Sequence, residues 1–436
     1  MKKIISLILV FVMALSVCGC AQNPGEKKVD PKQTEFDSFV AGFGRADVTP
    51  WAPVHLGSYG NALDRLSTGV RDNFYALTVA MTDTEGHTLL LIVTDLSWGY
   101  ITQTEQVRAA VLEKFGIPGE YVMLGGTHNH NGPEWMNEGA AEPENVVYLE
   151  KWLEGVVASV EMALADRKPA TIQVGRTETQ NLGFVRRYIR EDGNLTGGGH
   201  ATTYISSDSP ISHHETEGDE EVQLVKLIRE DDKDIVIGQW QNHGCHDGNT
   251  TMASTDWIGY TRKKVEAELD CEFVYMQGAA GNMGTTSLIA EEYPVAKSTQ
   301  QVGEELADVI IAACKDEKAF KAVNSGTIKC KQYQYTDVNY GGGSQWTGEM
   351  NSIAIGDLSL VTLPVEMFAE SGIAIKEQTP FEMTLIMGYT NGVCSYVGTR
   401  LAFQNGGYGI VDGRGTEDSA DNMIKIYIDN LKALKN

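Results

Sequence analysis

Two histidines, His128 and His130, follow a short apolar run and a pair of glycines in segment 121–133. A β-rich run that ends at Gly125 and Gly126 predicts a buried strand, with the histidines in the loop at its carboxyl end. Side chains two residues apart share a face of extended backbone, so both imidazoles could reach one point. Because histidine is the commonest neutral ligand for zinc, the pattern is compatible with a metal site. The alternative is two polar side chains in a surface loop.

Other side chains able to bind a metal follow further predicted strands. They lie in three more loops and comprise His243 with His246, Glu366, and Tyr396. A catalytic zinc takes about three protein ligands and leaves one position open for water. Two histidines and a carboxylate would meet that requirement, although spacing alone does not show that the loops converge. Asp95 also ends a predicted strand, where it could join a site or cap a turn.

The pattern around these loops predicts the elements that would position them. Apolar residues at helical spacing cover 102–115, 146–165, 256–269 and 302–313, and β-rich runs cover 121–124, 171–174, 221–228, 234–240 and 272–276. Strands that alternate with helices predict an α/β fold with mixed sheets and flanking helices. In such folds, sites form from loops at the carboxyl ends of strands, which is where the histidines lie.

Residues 181–219 differ from the rest of the chain. They are rich in Gly, Ser, Thr and His and show no sustained hydrophobic period. We therefore expect a long surface loop, of the kind that often forms a lid or a binding loop. Its histidines, His200, His213 and His214, are expected to be solvated.

Charge and small-residue motifs exclude two classes of function. The formal net charge of −24 over 436 residues makes nucleic acid an unfavourable partner, because phosphate binding needs basic patches. The small-residue segment 277–284 is not followed by the Lys-Ser/Thr pair of a P-loop. The sequence leaves the oligomeric state open.

The amino-terminal segment predicts export and membrane anchoring. Two lysines and an apolar run over residues 4–17 are typical of a secretory signal. The run ends in a sequence that resembles a bacterial lipobox, with Cys20 as the lipidated residue; Cys18, or an ordinary cleaved signal, is the alternative. We expect a signal peptide at 1–20, a flexible tether at 21–38 and an extracytoplasmic protein anchored to the bacterial membrane by lipid.

The remaining cysteines form no recognisable framework. They are Cys245, Cys271, Cys314, Cys330 and Cys394. An odd number without C-x-x-C spacing predicts at most one or two disulfides. Cys245 and Cys394 each lie two residues from a possible metal ligand, so they either approach the metal site, paired or as a thiolate ligand, or are small buried residues.

Six segments occur in the order in which neutral/alkaline non-lysosomal ceramidases carry them. These are Gly44–Pro50, Thr127–Pro133, Asn242–Gly244, Gln277–Asn282, Gly356–Glu366 and Asn391–Val397. The chain thus resembles the catalytic domain of that family from about Gly42 to Tyr408. We expect residues 39–436 to form one catalytic domain, without the family's carboxyl-terminal immunoglobulin-like domain.

The resemblance implies a zinc amidase that hydrolyses the N-acyl bond of ceramide to sphingosine and a fatty acid. It implies Zn²⁺ as the cofactor, with ligands at His128, His243, Glu366 and Tyr396. Zinc would lower the pKa of bound water and polarise the amide carbonyl.

Three further residues receive catalytic roles from the same resemblance. His130 would accept a proton and return it to the leaving amine. Tyr408 would donate a hydrogen bond to the developing oxyanion. Arg186 would contact the substrate, with Arg187 as the competing match.

Departures from the family pattern bear on specificity. Gly281-Asn-Met-Gly284 stands where the family has Gly-Asp-Val-Ser, and Cys245-His-Asp247 follows the second histidine motif. The alternatives are therefore a zinc hydrolase for another acyl amide or ester, such as an acylated amino sugar or a cell-wall fragment, and a non-catalytic surface-binding lipoprotein. A metallo-β-lactamase is disfavoured because Asn-Gly-Pro follows His130.

Overall fold

The computed structural model describes residues 35–60, 62–134, 142–197, 208–392, 395–411 and 413–436. Within these ranges, no helix is both long enough and apolar enough to cross a membrane. The helices are α1 (Ile101–Phe115), α2 (Pro143–Ala165), α3 (Asp256–Leu269), α4 (Thr299–Lys315), α5 (Ala369–Gln378), α6 (Arg400–Asn405) and α7 (Ser419–Lys435).

The strands vary from two to eleven residues. They are β1 (Val40–Asp47), β2 (Gly69–Val70), β3 (Tyr75–Thr82), β4 (Thr88–Thr94), β5 (Val122–Gly126), β6 (Lys168–Glu178), β7 (Phe184–Val185), β8 (Arg187–Arg190), β9 (Leu195–Gly197), β10 (Ile211–His214), β11 (Glu221–Arg229), β12 (Ile235–Trp240), β13 (Met252–Ala253), β14 (Glu272–Gln277), β15 (Met283–Gly284), β16 (Phe320–Val323), β17 (Ile328–Val338), β18 (Gln345–Ile355), β19 (Leu358–Thr362), β20 (Glu366–Met367), β21 (Met383–Met387) and β22 (Tyr396–Val397).

Two large sheets organise the fold. One has nine strands in the order β14-β12-β11-β6-β1-β3-β4-β5, with β16 paired to β6, and the other has the order β17-β18-β19-β21. Most neighbours are antiparallel, but β4–β5, β12–β14 and β19–β21 are parallel. The predicted α/β fold with mixed sheets and flanking helices is therefore confirmed.

An apolar core lies between the inner faces of the sheets. Leu91 of β4, Ile237 of β12, Val274 of β14 and Leu360 of β19 all belong to it and are at most 2% exposed. Alternate residues of β4, such as Ile92, point the other way and pack under α1 and α2. Helices α3 and α4 cover the outer face of β12 and β14 in the same manner.

The carboxyl ends of the three parallel pairs meet at one place. The Gln277 side chain at the end of β14 donates to Thr127 O, just beyond β5, over 3.2 Å. Gly388 N, just beyond β21, donates to Gln277 O over 2.8 Å. In the loops that follow, His130 N donates to Gly244 O over 2.9 Å. Loops from different regions of the sequence are thereby held against one another.

The strand before the histidines extends further than the sequence predicted. We expected Gly125 and Gly126 to end it, but β5 includes both residues. The reason is close packing, since a Cβ atom on Gly126 would lie 2.5 Å from Leu96 O. These glycines allow another segment of the same chain to pack closely against the strand, and they do not end it.

The expectation of a long surface loop over residues 181–219 is wrong for the described part. β8 pairs with β9 and with β10, and β7 pairs with β15. These strands are two to four residues long, too short to show the apolar alternation from which a strand is normally inferred. His213 is exposed as expected, whereas His214 is partly buried and contacts Glu292 over 2.6 Å. His200 lies outside the described residues.

Candidate metal centre and active site

Three histidines from two loops form a buried cluster. His128 and His130 come from the loop after β5, and His243 comes from the loop after β12. One ring nitrogen from each lies within 4.8 Å of the others, and all three are at most 7% exposed. The Nε2 atoms of His128 and His130 are 3.1 Å apart. These atoms could hold a metal ion.

Glu366, the first residue of β20, approaches the same point. Its Oε2 atom lies 3.3 Å from His128 Nε2 and 3.4 Å from His243 Nε2. Yet this buried oxygen forms no hydrogen bond of acceptable geometry with any residue that the structure describes. Ligands at about 2.0–2.1 Å around a tetrahedral zinc would be separated by about 3.3–3.4 Å. The donor set and its separations therefore fit zinc.

Local structure fixes the ring of His128. Its backbone is left-handed, with φ of 58°, and its Nδ1–H donates to Ser97 O over 3.2 Å. Its ring stacks on Tyr389 with centroids 3.8 Å apart. A hydrogen bond from one ring nitrogen to a carbonyl leaves the other nitrogen with a free lone pair, as is usual for metal-binding histidines. Nε2 is thus the atom available for a ligand bond.

The protonation states suit a set of metal ligands. Burial lowers the pKa of His130 well below its usual value, and burial with the nearby Arg186 lowers the pKa of His243 to about 3. Burial opposes ionisation of Glu366, but His128 and His243 outweigh it and hold the pKa of that carboxyl below its usual range. Neutral imidazoles and an ionised carboxylate are the forms that bind metals.

Two tyrosines line the next part of the site. Parallel pairing places Tyr396 of β22 directly opposite Glu366 of β20. The hydroxyl of Tyr396 forms a short hydrogen bond with that of Tyr408. Burial raises the pKa of Tyr408 to about 12, against the opposing influence of Arg186, so its hydroxyl remains a donor at neutral pH.

The adjacent arginines Arg186 and Arg187 point to different places. Arg186 Nη2 lies 2.8 Å from His243 Nε2, 2.9 Å from the Tyr408 hydroxyl and 3.5 Å from the Tyr396 hydroxyl. Arg187 instead pairs with Glu215, away from the histidines. Of the two matches considered from the sequence, Arg186 is the one that lies in the site.

Other residues considered from the sequence lie outside the cluster. His246 bonds Thr285 Oγ1 over 2.7 Å and Lys297 O over 2.8 Å. Asp95 is paired with the buried Arg262 and is committed to that ion pair.

The described cysteines are all free thiols. Burial raises the pKa of Cys245 to about 12, which favours a neutral thiol over a thiolate ligand. Cys20 and Cys394 lie outside the described residues, so the expected lipidation and the pairing of Cys245 with Cys394 stay predictions.

The segment between β1 and β2 contributes residues that the sequence did not single out. Arg65 is 2% exposed and donates to Gly57 O over 2.6 Å, to His130 O over 3.2 Å and to Asn131 Oδ1 over 2.6 Å. Tyr59 packs edge-on against the His130 ring, with centroids 5.0 Å apart. No motif marks either residue, because both act through contacts distant in sequence.

Two solved ceramidase structures have a similar architecture. A solved ceramidase complexed with C2 superposes with a TM-score of 0.74 at 16% identity, covering 91% of this chain and 75% of that one. Neutral ceramidase from Pseudomonas aeruginosa gives a TM-score of 0.73 at 17% identity, covering 91% and 74%. These likenesses concern the fold. No curated protein matches the sequence.

A family model supplies the evidence at the level of sequence. The model of the amino-terminal part of neutral/alkaline non-lysosomal ceramidases matches residues 39–345, more than half of the 436 residues. The match includes the loops that carry His128, His130 and His243. The chain therefore belongs to the neutral/alkaline non-lysosomal ceramidase family.

Proposed function

We propose that this protein is a zinc-dependent amidohydrolase that cleaves an N-acyl amide, with ceramide as the first candidate substrate. Family membership supports a hydrolase acting on amide bonds. The observation that carries the zinc proposal is the approach of Glu366 Oε2 to His128 and His243 without a satisfactory hydrogen bond. A buried carboxylate oxygen that lies beside two imidazole nitrogens without a hydrogen bond of acceptable geometry is costly unless a cation lies between them.

The proposed ligands are His128, His243, Glu366 and Tyr396. Zinc bound there would supply Lewis acidity and lower the pKa of water. Arg186 now donates to the ring nitrogen of His243 that would bind the ion. In the loaded protein we expect Arg186 to give up that hydrogen bond and keep its contact with Tyr408.

His130 is the proposed acid–base group. It is next to the ligand set, with its Nε2 3.1 Å from His128 Nε2, and its Nδ1 has no hydrogen-bond partner within the described part of the chain. A neutral imidazole can take a proton from attacking water and return it to the leaving amine. The backbone of His130 is held by Arg65 and Gly244, so the ring has a defined position for both transfers.

Tyr408 and Arg186 are the proposed stabilisers of the oxyanion. Tyr408 is buried and Arg186 is partly buried, and a donor held in such a site stabilises developing charge more than it would in water. Their mutual contact of 2.9 Å aims the phenol and the guanidinium at one region. An amide carbonyl bound there would meet both.

A second candidate substrate class keeps the same site. Gly284 borders Arg186, since a Cβ atom at this position would lie 3.6 Å from Arg186 Cδ. The serine that the resemblance predicts there would therefore touch the Arg186 side chain. Without it, the part of the substrate next to Arg186 is less constrained, which favours testing other acyl amides or esters.

The deciding experiment measures bound metal and fatty-acid release from a fluorescent ceramide. It compares the wild type, His128→Ala and the exposed control His213→Ala. We expect one zinc and turnover in the wild type and the control, with both lost in His128→Ala. Zinc without ceramide turnover would transfer the proposal to another acyl amide or ester. Absence of zinc would refute the proposal of a zinc enzyme and favour the alternative hypothesis of a non-catalytic surface-binding lipoprotein.

We also propose that the protein is anchored outside the cytoplasm by lipid on Cys20, with residues 39–436 as one catalytic domain. The lipobox-like sequence before Cys20 supports the anchor. In a bacterial host, Cys20→Ala should move the protein from the detergent phase to the aqueous phase of a Triton X-114 partition, and Cys18→Ala should not. The opposite pattern would assign the lipid to Cys18.

A further inference from the structure

Arg187, which lies next to Arg186 in the sequence but does not reach the metal cluster, makes several buried contacts elsewhere. Arg187 is fully buried, and its guanidinium pairs with the buried carboxylate of Glu215, with Nη2 to Oε1 at 2.8 Å. The same guanidinium donates to Tyr408 O, to Gly406 O over 2.9 Å and to Ala402 O over 3.4 Å. It therefore ties the tyrosine-bearing segment to β8.

Glu215 completes the connection from the other side. Its Oε1 accepts from Asn405 Nδ2 over 2.8 Å, and its backbone N donates to Arg187 O over 2.7 Å. Two residues that are 28 apart in sequence thus hold the segment 402–408 at its backbone carbonyls and at one side chain. A glycine pair, Gly406 and Gly407, gives this segment little stiffness of its own.

The dipeptide Arg186-Arg187 consequently holds Tyr408 at both ends. Arg186 donates to its hydroxyl, and Arg187 donates to its carbonyl. Consecutive side chains of extended backbone point to opposite sides, which is how adjacent arginines reach two ends of one residue.

A buried ion pair seldom stabilises a fold more than apolar residues of similar volume would. Stabilisation of the fold therefore does not by itself account for the buried charges of Arg187 and Glu215. The role that their contacts indicate is to fix the location of the segment that carries Tyr408.

We infer that Arg187 and Glu215 are a positioning pair that sets the location of the Tyr408 hydroxyl in the active site. This inference rests on the proposed function for its catalytic readout. Neither residue touches the reacting atoms, so both act through Tyr408.

The test replaces Arg187 by lysine. Arg187→Lys keeps a positive charge for Glu215, but an ammonium lacks the planar fork that serves the carboxylate and three carbonyls together. The matched control is Arg229→Lys, because Arg229 is also a buried arginine in an ion pair, here with Asp166. It also donates to Lys233 O over 2.6 Å, and neither partner belongs to the active site.

We expect Arg187→Lys to lower kcat for the fluorescent ceramide about 10- to 100-fold, the usual effect of misplacing a catalytic group, with bound zinc unchanged. In a Tyr408→Phe background the same substitution should have little further effect. An equal loss in both backgrounds would show that Arg187 does not act through Tyr408 and would overturn the inference.

Hydrogen exchange gives a readout that does not depend on turnover. Amides of residues 402–411 should exchange faster in Arg187→Lys than in the wild type or in Arg229→Lys, while residues 127–131 stay protected. Unchanged exchange at 402–411 would contradict the inference. A wild type that binds no zinc and does not hydrolyse ceramide would instead contradict the proposed function, and the exchange comparison would still decide whether Arg187 and Glu215 position Tyr408. Glu215→Gln provides the same comparison if Arg187→Lys does not fold.

Discussion

The paired tyrosines Tyr396 and Tyr408 allow the proposed ligand to be distinguished from the proposed oxyanion donor by one chemical change. Their hydroxyls bond each other, and both are buried beside Arg186. Replacement of either tyrosine by phenylalanine removes one oxygen and no ring. The two variants should nevertheless differ in which property they lose: one should lose turnover and the other zinc affinity.

The size of each effect follows from the role assigned to the hydroxyl. Tyr408→Phe removes a donor to the developing oxyanion, which typically costs about 100- to 1,000-fold in kcat, or about 2.7–4 kcal/mol. Tyr396→Phe removes a metal ligand, and its effect should exceed the roughly 10- to 100-fold loss of affinity that follows when only a supporting residue is removed. Arg186 keeps Gly281 O as an acceptor in both variants, so the loss of stability should be about 1 kcal/mol.

The assay combines zinc affinity, measured by competition with a chelating dye, with steady-state hydrolysis at saturating zinc. Tyr408→Phe should bind zinc as the wild type does and turn over slowly, whereas Tyr396→Phe should need more zinc. The reasoning is refuted if the two variants show the same zinc affinity and the same kcat, or if their effects are exchanged.

Three further predictions concern stability, each read from urea unfolding. Burial raises the pKa of Asp256 to about 7, so the contribution of its protonated form to stability is present at acid pH and is lost as the pH rises from about 4 to 7. The free energy of unfolding of the wild type, relative to that of Asp256→Asn, should therefore fall over that range. A difference that stays constant with pH would contradict this prediction. Gly44→Ala should destabilise by about 1–3 kcal/mol or more, because its Cβ would lie 1.9 Å from Ser159 O, and an unchanged midpoint would show that the strand and helix separate easily. Arg262→Met should cost about 3–5 kcal/mol by leaving Asp95 buried without its cation, and a neutral result would mean that water reaches Asp95.

Much of the site could be predicted from local sequence because it is built at strand ends. Apolar runs mark β5 and β12, and His128, His130 and His243, which follow them in the chain, form the histidine cluster. Helix α3 was predicted with the bounds that the structure has, since its apolar residues recur at helical spacing and the polar residues Thr255 and Asp270 flank it.

Other features depend on contacts that local patterns do not encode. Whether Arg186 or Arg187 enters the site depends on the register of β7 and β8, and these strands carry too few apolar residues to reveal a register. Arg65 supports His130 across 65 positions of sequence, through carbonyl groups that every residue possesses. His214 was expected to be solvated, but its contact with Glu292 joins segments 78 residues apart.

The convergence of three parallel strand pairs also has a consequence for metal acquisition. His128, His243 and Glu366 belong to loops that meet only after both large sheets have assembled, because each loop is separated from the next by more than 100 residues. Contacts between such distant segments form late in folding. A partly synthesised or misfolded chain would present isolated histidines that compete poorly for zinc. The folded protein would then bind the ion, and bound metal would indicate that folding is complete.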